Sequence, residues 1–297
     1  MTQPHLYAVD LDGTLLSSHK TYKHDQFDRV LNLLAQQGSY LAVATGNQMP
    51  KIEQYMAGHE HHENLYYIAE NGAIIHNQGN DLALWGFTPE LVQQSLAALD
   101  VFPALGIILS ARHHSYVPTD RLKIISDRVH EQVSKVGVEL PGYDPQNPIT
   151  AIRPFYPNAV AIDDPAAITD TIVKIALNSD PTEGIYDTIG RLHQSLPAGI
   201  AATSSGFGAI DLILAGNHKG HGLSWLAGHL GIDMAETTAI GDSGNDLEMF
   251  QVAGRSIAME HSDPTLAPHT DVTIGSNDDG AVLNFLETEL TGAYTHR

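Results

Sequence analysis

The chain has 297 residues, and its 35 acidic residues outnumber its 15 Lys and Arg, which gives a net charge of −20 with 17 histidines counted as neutral. Nucleic-acid grooves and anionic membrane surfaces need clustered Lys and Arg, so this charge argues against both as partners. The absence of cysteine excludes disulfides, Cys-ligated zinc, iron–sulfur clusters and a thiol nucleophile. A chain of this length usually folds as more than one domain.

No apolar run reaches the roughly 18 residues that a membrane span needs. The apolar run near the N-terminus is interrupted by Asp10 and Asp12, which is unlike a signal peptide. We therefore expect a soluble, cytoplasmic protein.

The first third of the sequence predicts strands that alternate with a helix. Apolar residues at helical spacing predict a helix at about Asp25–Gln37, and short apolar runs predict strands at Leu6–Val9, Tyr40–Ala44 and Leu65–Ala69. This alternation is typical of a parallel sheet covered by helices.

The middle of the chain, from about Asp81 to Ala215, shows a mixed pattern that suggests an inserted α+β domain. The expected elements are strands at Leu105–Leu109, Ser115–Val117 and Ala159–Ile162, helices at Arg121–Val136 and Pro165–Leu177, and a proline-rich loop at Leu140–Pro157.

After Ala215 the α/β pattern returns, with helices expected at His218–Leu230 and Asp246–Ala253 and strands at Thr237–Ile240 and Ser256–Met259. We therefore predict an α/β fold with a Rossmann-like, doubly wound parallel sheet. Its discontinuous core would comprise residues 1–81 and 216–297, and residues 82–215 would form an inserted α+β cap domain that determines substrate specificity.

Two carboxylates, Asp10 and Asp12, directly follow the first predicted strand. Doubly wound sheets bind ligands at the carboxyl ends of their strands, and Gly13 allows the chain to turn sharply there. Neighbouring acids repel unless a cation or a shared proton holds them together, and a hard cation such as Mg²⁺ prefers their oxygen atoms. An ordinary turn is the alternative interpretation, because Asp, Gly and Thr are common turn residues.

A second acidic motif, Gly241–Asp246 (GDSGND), follows another predicted strand. Asp242 could give the same cation a third carboxylate, and Asp246 would face the same end of the sheet if a helix begins here. Taken alone, the motif fits a helix N-cap as well as it fits a cation site.

Two further features favour anion binding. Thr45–Asn47 (TGN) ends a predicted strand, and its hydroxyl and backbone N–H groups could hold phosphate oxygens, although such turns are common. Lys219 lies at a predicted helix start, where the helix dipole favours acids. A lysine is usually solvated surface, but this unfavourable position raises the chance of an anion-binding role above that of an average lysine.

In this order and on these elements, the motifs resemble the haloacid dehalogenase-like phosphatase superfamily, in particular its Cof-type branch, which carries a large inserted α+β cap. The stretches Ala69–Ala73 and Thr203–Gly208 also resemble that branch, and the resemblance covers essentially the whole chain. Many members have Arg where this chain has Asn47, and the form Thr45–Gln48 (TGNQ) resembles the sugar-phosphatase group.

The resemblance implies a Mg²⁺-dependent phosphatase that acts on small phosphorylated metabolites, in particular sugar phosphates, through an aspartyl-phosphate intermediate. Asp10 would be the nucleophile and Asp12 the general acid and base. The implied ligands of the cation are Asp10, the backbone carbonyl of Asp12 and Asp242, the implied phosphate-binding residues are Thr45, Gly46, Asn47, Lys219 and Asn245, and Asp246 would orient Lys219 or a metal-bound water.

Two alternatives stay open from the sequence. A phosphomutase or phosphotransferase acting on sugar phosphates would retain phosphate instead of releasing it. A non-catalytic phosphometabolite-binding protein would not need both Asp10 and Asp12.

A histidine-rich run, His59–Glu63 (HEHHE), lies between a predicted helix and strand. It lacks the HExxH spacing of a zinc protease, and we expect it to form a solvated loop.

Overall fold

The structure is a computed structural model that describes residues 3–135, 140, 142–179, 184–204 and 209–292. It contains two compact units. The first is formed by Met1–Asn47, Tyr55–Leu84 and Asn217–Arg297, and the second by Gln48–Gln54 and Trp85–Gly216. None of the helices in the described ranges is long and apolar enough to cross a membrane.

Both units contain β-strands and α-helices. The strands are β1 (Leu6–Val9), β2 (Tyr40–Ala44), β3 (Leu65–Ala69), β4 (Ile74–Asn77), β5 (Asn80–Leu84), β6 (Gly106–Ala111), β7 (Ser115–Pro118), β8 (Ala159–Ile162), β9 (Ile172–Asn178), β10 (Ile200–Ser204), β11 (Ala209–Leu214), β12 (Thr237–Gly241), β13 (Arg255–Met259) and β14 (Val272–Ile274). The α-helices are α1 (His24–Gln36), α2 (Met49–Tyr55), α3 (Pro89–Leu99), α4 (Thr119–Lys135), α5 (Ile185–Ser195), α6 (Lys219–Leu230), α7 (Leu247–Val252) and α8 (Ala281–Leu290).

The first unit is built on one sheet with the strand order β14-β13-β12-β1-β2-β3-β4-β5. The strands from β14 to β3 pair in parallel, and β4 and β5 extend the sheet as an antiparallel hairpin. All four residues of β1 are buried, as expected for a central parallel strand that is covered on both faces. This arrangement confirms the predicted α/β class.

Strand β1 brings the two distant parts of the first unit together. Leu6 pairs with Tyr40 of β2 on one side and with Thr237 of β12 on the other. The carboxyl ends of β1, β2 and β12 therefore lie side by side, and this is the edge where such sheets place ligands.

The second unit contains a six-stranded sheet with the order β10-β11-β9-β6-β7-β8. Its pairs are antiparallel except for β7 and β8. Alternate residues of β6 enter two different apolar cores, with Ile107 and Leu109 in one and Ile108 in the other. Both faces of the sheet are therefore covered, as expected for an α+β unit.

The helix predicted at Pro165–Leu177 is wrong. A short 3₁₀ helix spans Pro165–Ala167 and is capped by the Asp164 side chain, so the proline signal marks a real but brief turn. The residues from Ile172 form β9, which lies between β11 and β6 and is almost wholly buried. Its β-branched residues fit this central strand better than a helix.

Residues 48–54, which the sequence pattern assigned to the core, group with the second unit in the structure. Gln48 Nε2 donates to the carbonyl of Phe155 at 2.8 Å, and Lys51 Nζ donates to the carbonyl of Pro154 at 2.9 Å. These side-chain contacts bind the segment to the proline-rich loop. Within that loop, Pro148–Ala151 form a 3₁₀ helix.

Of the stretches predicted from the sequence, Val136, Pro141 and residues 205–208 lie outside the described residues.

Candidate active site

Three carboxylates converge at the carboxyl ends of β1 and β12. Asp10, which directly follows β1, is 4% exposed, and its backbone N–H donates to the carbonyl of Ile240 in β12 at 2.9 Å. Asp242 directly follows β12, and Asp246 lies four residues further on. Each of the three offers a carboxylate oxygen within 4.8 Å of the others. The structure therefore brings the two acidic motifs together.

Lys219, the first residue of α6, lies at the centre of this group and is 1% exposed. Its Nζ donates to Asp10 Oδ1 at 2.5 Å and to Asp246 Oδ1 at 2.7 Å. Burial acts to lower the pKa of Lys219, but the two carboxylates outweigh that effect and raise it. The lysine is therefore a buried ammonium held between two acids.

Asp246 orients its neighbours and has no free oxygen. Besides accepting from Lys219, it accepts at Oδ2 from the backbone N–H groups of Asp242 and Ser243, both at 3.0 Å. Ser243 completes a reciprocal capping box with Asp246. The carboxylate therefore fixes both the ammonium and the turn that carries Asp242.

Asp242 is held by the first motif. Thr14 Oγ1 donates to Asp242 Oδ1 at 2.7 Å. Gly13 has a φ of +84°, and a Cβ there would lie 2.6 Å from Asp242 Oδ2. Only glycine therefore permits both this backbone conformation and this close approach.

The charge balance of the site favours a bound cation. Burial raises the pKa of Asp10 well above its ordinary value, and Asp246 and Asp242 add to the effect, while Lys219 opposes it. Burial also raises the pKa of Asp242, with Asp246 as the next cause. One ammonium faces three carboxylates, so additional positive charge would stabilise their ionised forms. An all-oxygen set of this kind suits a hard divalent cation such as Mg²⁺.

Asp12 lies apart from this group and has different partners. Its carboxylate accepts from Asn47 Nδ2 at 2.5 Å and is ion-paired with the Lys20 ammonium. No sequence pattern pointed to Lys20, which is eight residues away in a turn and adopts a φ of +58°. Each carboxylate oxygen of Asp12 therefore accepts from one of the two donors.

The turn after β2 forms the next part of the site. Thr45 is 2% exposed, and its Oγ1 accepts from the backbone N–H of Asn47 at 3.1 Å and from Asn47 Nδ2 at 3.0 Å. No residue in the described ranges accepts the hydroxyl proton of Thr45, so that proton is available to a ligand. Asn47 contacts Asp12 and Thr45, which makes it a positioning group for Asp12 in this structure.

Asn71 links this turn to the second acidic motif. It is 1% exposed, has a left-handed backbone with a φ of 57°, and donates its backbone N–H to the carbonyl of Thr45 at 3.0 Å. Its Oδ1 accepts from Asn245 Nδ2 at 3.1 Å, and a Cβ on Gly46 would lie 3.0 Å from the same oxygen. The sequence pattern marked the stretch around Asn71 but gave this residue no role.

The histidine-rich run is not a solvated loop, so that expectation is wrong for two of its three histidines. His59 is 2% exposed and His62 is 8% exposed, and both rings are hydrogen-bonded to Asp28 of α1. Asp28 accepts from one ring nitrogen of each histidine, which offsets part of the cost of burying the two rings.

A parallel α/β sheet that gathers carboxylates and a buried lysine at its carboxyl edge has the architecture of an enzyme that acts on small ligands there. A family model for haloacid dehalogenase-like hydrolases matches residues 7–286, and the chain belongs to this family. Within it, the chain is an enzyme of the phosphatase kind. The family predicted from the motifs is thereby confirmed.

Several relatives match over nearly their full length. The chain is 29% identical over 289 residues to the 5-amino-6-(5-phospho-D-ribitylamino)uracil phosphatase YbjI of Escherichia coli, with 96% of each chain covered. It is 28% identical to the Bacillus subtilis phosphatase YwtE, which has the same activity name, with 97% of this chain and 98% of that protein covered.

Solved structures support the same fold. SMU.1108c from Streptococcus mutans has a TM-score of 0.82 and 24% identity, with 97% of this chain and 100% of that chain covered. BT1666 from Bacteroides thetaiotaomicron is described as a phosphatase of the same superfamily. It has a TM-score of 0.72 and 18% identity, with 97% of this chain and 96% of that chain covered.

Proposed function

We propose that this enzyme is a Mg²⁺-dependent phosphomonoesterase that hydrolyses sugar phosphates and related small metabolites through an aspartyl-phosphate on Asp10. The observation that carries the proposal is the fully buried Lys219, which contacts Asp10 at 2.5 Å beside the third carboxylate, Asp242. A nucleophilic carboxylate, a cation site and a fixed ammonium are what phosphoryl transfer requires.

The side chains suit a two-step reaction. An oxygen of Asp10 attacks phosphorus, and the bond from phosphorus to the leaving oxygen breaks while Asp12 gives that oxygen its proton. Water then attacks the phosphorus of the aspartyl-phosphate, Asp12 takes a proton from that water, and inorganic phosphate leaves with Asp10 restored. Asn47 contacts the Asp12 carboxyl group and would keep it in one orientation for both proton transfers.

Charge stabilisation would come from fixed groups. Lys219 is held between Asp10 and Asp246, so its ammonium needs little rearrangement to face the transferring phosphoryl group. The Thr45 hydroxyl and the backbone of Gly46 would contact the phosphate oxygens. Asp10, Asp242 and the backbone carbonyl of Asp12 would hold Mg²⁺, which when bound offsets the repulsion between the carboxylates and the phosphate dianion.

The substrate class rests on two lines of support. The first is the Thr45–Gln48 turn, which resembles the sugar-phosphatase group. The second is the name of the two bacterial relatives, which describes phosphatases of a phosphorylated ribityl chain. We therefore infer that the substrate is a phosphate ester on a sugar or sugar-alcohol chain, and that the second unit selects it.

The test is release of inorganic phosphate by tag-free enzyme from a panel of sugar phosphates, ribityl phosphates, nucleotides and cofactor phosphates, with and without Mg²⁺. Turnover is expected for sugar or sugar-alcohol esters, only when Mg²⁺ is present. Acid quenching during turnover should trap labelled phosphate on Asp10.

The Asp10→Asn variant should lose turnover and the trapped phosphate while keeping its fold. Asp127→Asn is a matched control, because Asp127 has a 61% exposed side chain that, among the described residues, pairs only with Lys123 four residues away. Turnover by Asp10→Asn at the wild-type rate would refute the assignment of Asp10 as the nucleophile. Transfer of phosphate between sugars without its release would favour a phosphomutase, and tight substrate binding without turnover would favour a binding protein.

A further inference from the structure

A second cluster of possible metal ligands lies away from the acidic site. Asp28 belongs to α1, and His59, His61 and His62 belong to the turn that precedes β3. This turn is at the amino end of β3, whereas Asp10, Thr45 and Asp242 follow the carboxyl ends of their strands. In a parallel sheet these are opposite edges, so the cluster is separate from the candidate active site.

Hydrogen bonds fix the inner part of the cluster. Asp28 Oδ1 accepts from His59 Nδ1 at 2.6 Å and from His62 Nε2 at 3.1 Å. His59 Nε2 is in turn 3.1 Å from His24 Nδ1, and the two rings are stacked. The carboxylate is therefore oriented by a chain of imidazoles, as the outer partners of a metal site orient its ligands.

Other donor atoms of the cluster remain free. In the described part of the chain, Asp28 Oδ2, His62 Nδ1 and both ring nitrogens of His61 have no hydrogen-bond partner. Asp28, His61 and His62 each offer one ligand atom within 4.8 Å of the other two. Ligand atoms bound at about 2.0–2.1 Å around one tetrahedral ion lie roughly 3.4 Å apart. Asp28 Oδ1 and His62 Nε2 are already 3.1 Å apart, close to that separation.

We propose that Asp28, His61 and His62 bind one divalent transition-metal ion of the zinc type, with His59 and His24 orienting the ligands. Two imidazoles and one carboxylate favour such an ion over Mg²⁺ or Ca²⁺, which prefer all-oxygen sites. His61 is exposed, and it borders, together with His62, a surface cavity of about 800 Å³, so the ion can enter from solvent. The bound ion would link α1 to the turn before β3 and stabilise the first unit.

The experiment is a calorimetric titration of Zn²⁺ into the tag-free full chain, with excess Mg²⁺ present to occupy the acidic site. The expected result is one zinc bound per chain and an increase in melting temperature. Replacement of zinc by Co²⁺ should give a visible absorption band that reports nitrogen and oxygen ligation.

Three variants make the test specific to this cluster. His61→Gln and Asp28→Asn should each weaken zinc binding at least tenfold and remove the increase in melting temperature. His261→Gln is the control and should bind like wild type, because that histidine has an 80% exposed side chain and lies outside the cluster. His61 is itself exposed, so its variant should fold normally, which circular dichroism can verify. Zinc affinity that is unchanged in both cluster variants, or no zinc binding by the wild type, would overturn the proposal.

Discussion

The Gly13→Ala substitution tests how closely the two acidic motifs must approach each other. A Cβ at residue 13 would lie 2.6 Å from Asp242 Oδ2, whereas ordinary van der Waals contact begins at 3.4 Å, so the carboxylate must move by the difference, about 0.8 Å. Its other oxygen accepts from Thr14 Oγ1 at 2.7 Å, so the carboxylate cannot move without disturbing that bond. A misplacement near 1 Å in a catalytic group costs on the order of 10²-fold in rate.

The same substitution also strains the backbone. Gly13 has a φ of +84°, and an alanine in the left-handed region costs roughly 1–2 kcal/mol. Gly79→Ala separates the two effects, because Gly79 has a φ of +75° and a Cβ there would meet nothing within 4 Å. In urea denaturation Gly79→Ala should therefore lose only the backbone cost, and Gly13→Ala should lose more, because it adds the clash with Asp242.

Only Gly13→Ala should lose activity. We expect kcat/KM for phosphate release to fall by about 10²-fold and the Mg²⁺ concentration for half-maximal activity to rise. Wild-type activity in Gly13→Ala, or an equal loss in Gly79→Ala, would show that the approach of Gly13 to Asp242 does not control the site.

Three further substitutions and one pH profile test the remaining contacts. Lys219→Met leaves Asp10 and Asp246 buried without their cation, so stability should fall by about 3–5 kcal/mol in urea denaturation and phosphate release by at least ~10²-fold. Asn47→Ala removes a hydrogen bond to Asp12 and should lower kcat by roughly 10- to 100-fold with KM little changed. A large rise in KM alone would instead identify Asn47 as a substrate-binding group. Lys20→Met breaks a half-exposed ion pair with Asp12, so kcat/KM should fall only about twofold to fivefold. Burial lowers the pKa of His5 from its ordinary value of 6.5, although nearby Glu236 opposes the shift, so the folded state binds this proton less readily than the unfolded chain. The free energy of unfolding should therefore fall as the pH drops below 6.5, and His5→Gln should flatten that part of the curve of stability against pH.

Local patterns predicted the edge of the sheet that carries the candidate active site, because Asp10, Thr45 and Asp242 each follow a short, strongly apolar strand. The runs at β1, β2 and β12 are buried along nearly their whole length, so their carboxyl ends could be placed from the sequence. Once the strands are parallel neighbours, the positions of Asp10, Thr45 and Asp242 follow from the sheet. The whole α/β class was predictable for the same reason.

Contacts between distant segments were not predictable. Strand β9 is the centre of its sheet, but its neighbours β6 and β11 lie far from it in the sequence, and its proline-led start has the local pattern of a helix. His59 and His62 have the composition of a loop, and their burial depends on Asp28, which is about 30 residues away on α1. In both cases tertiary packing outweighs local propensity.

The departure at position 47 acquires a physical meaning from the two donors on Asp12. Asn47 is uncharged, and its amide holds both Asp12 and Thr45. The positive charge near Asp12 comes instead from Lys20, whose backbone adopts a φ of +58° that is unfavourable for a side-chain-bearing residue. A strained residue persists where the surrounding structure requires it, and here the strained turn is the one that carries the Lys20 ammonium to Asp12. Asn47 thus orients Asp12 and Lys20 supplies the positive charge beside it, while Thr45–Gln48 of the turn after β2 carry no charged side chain.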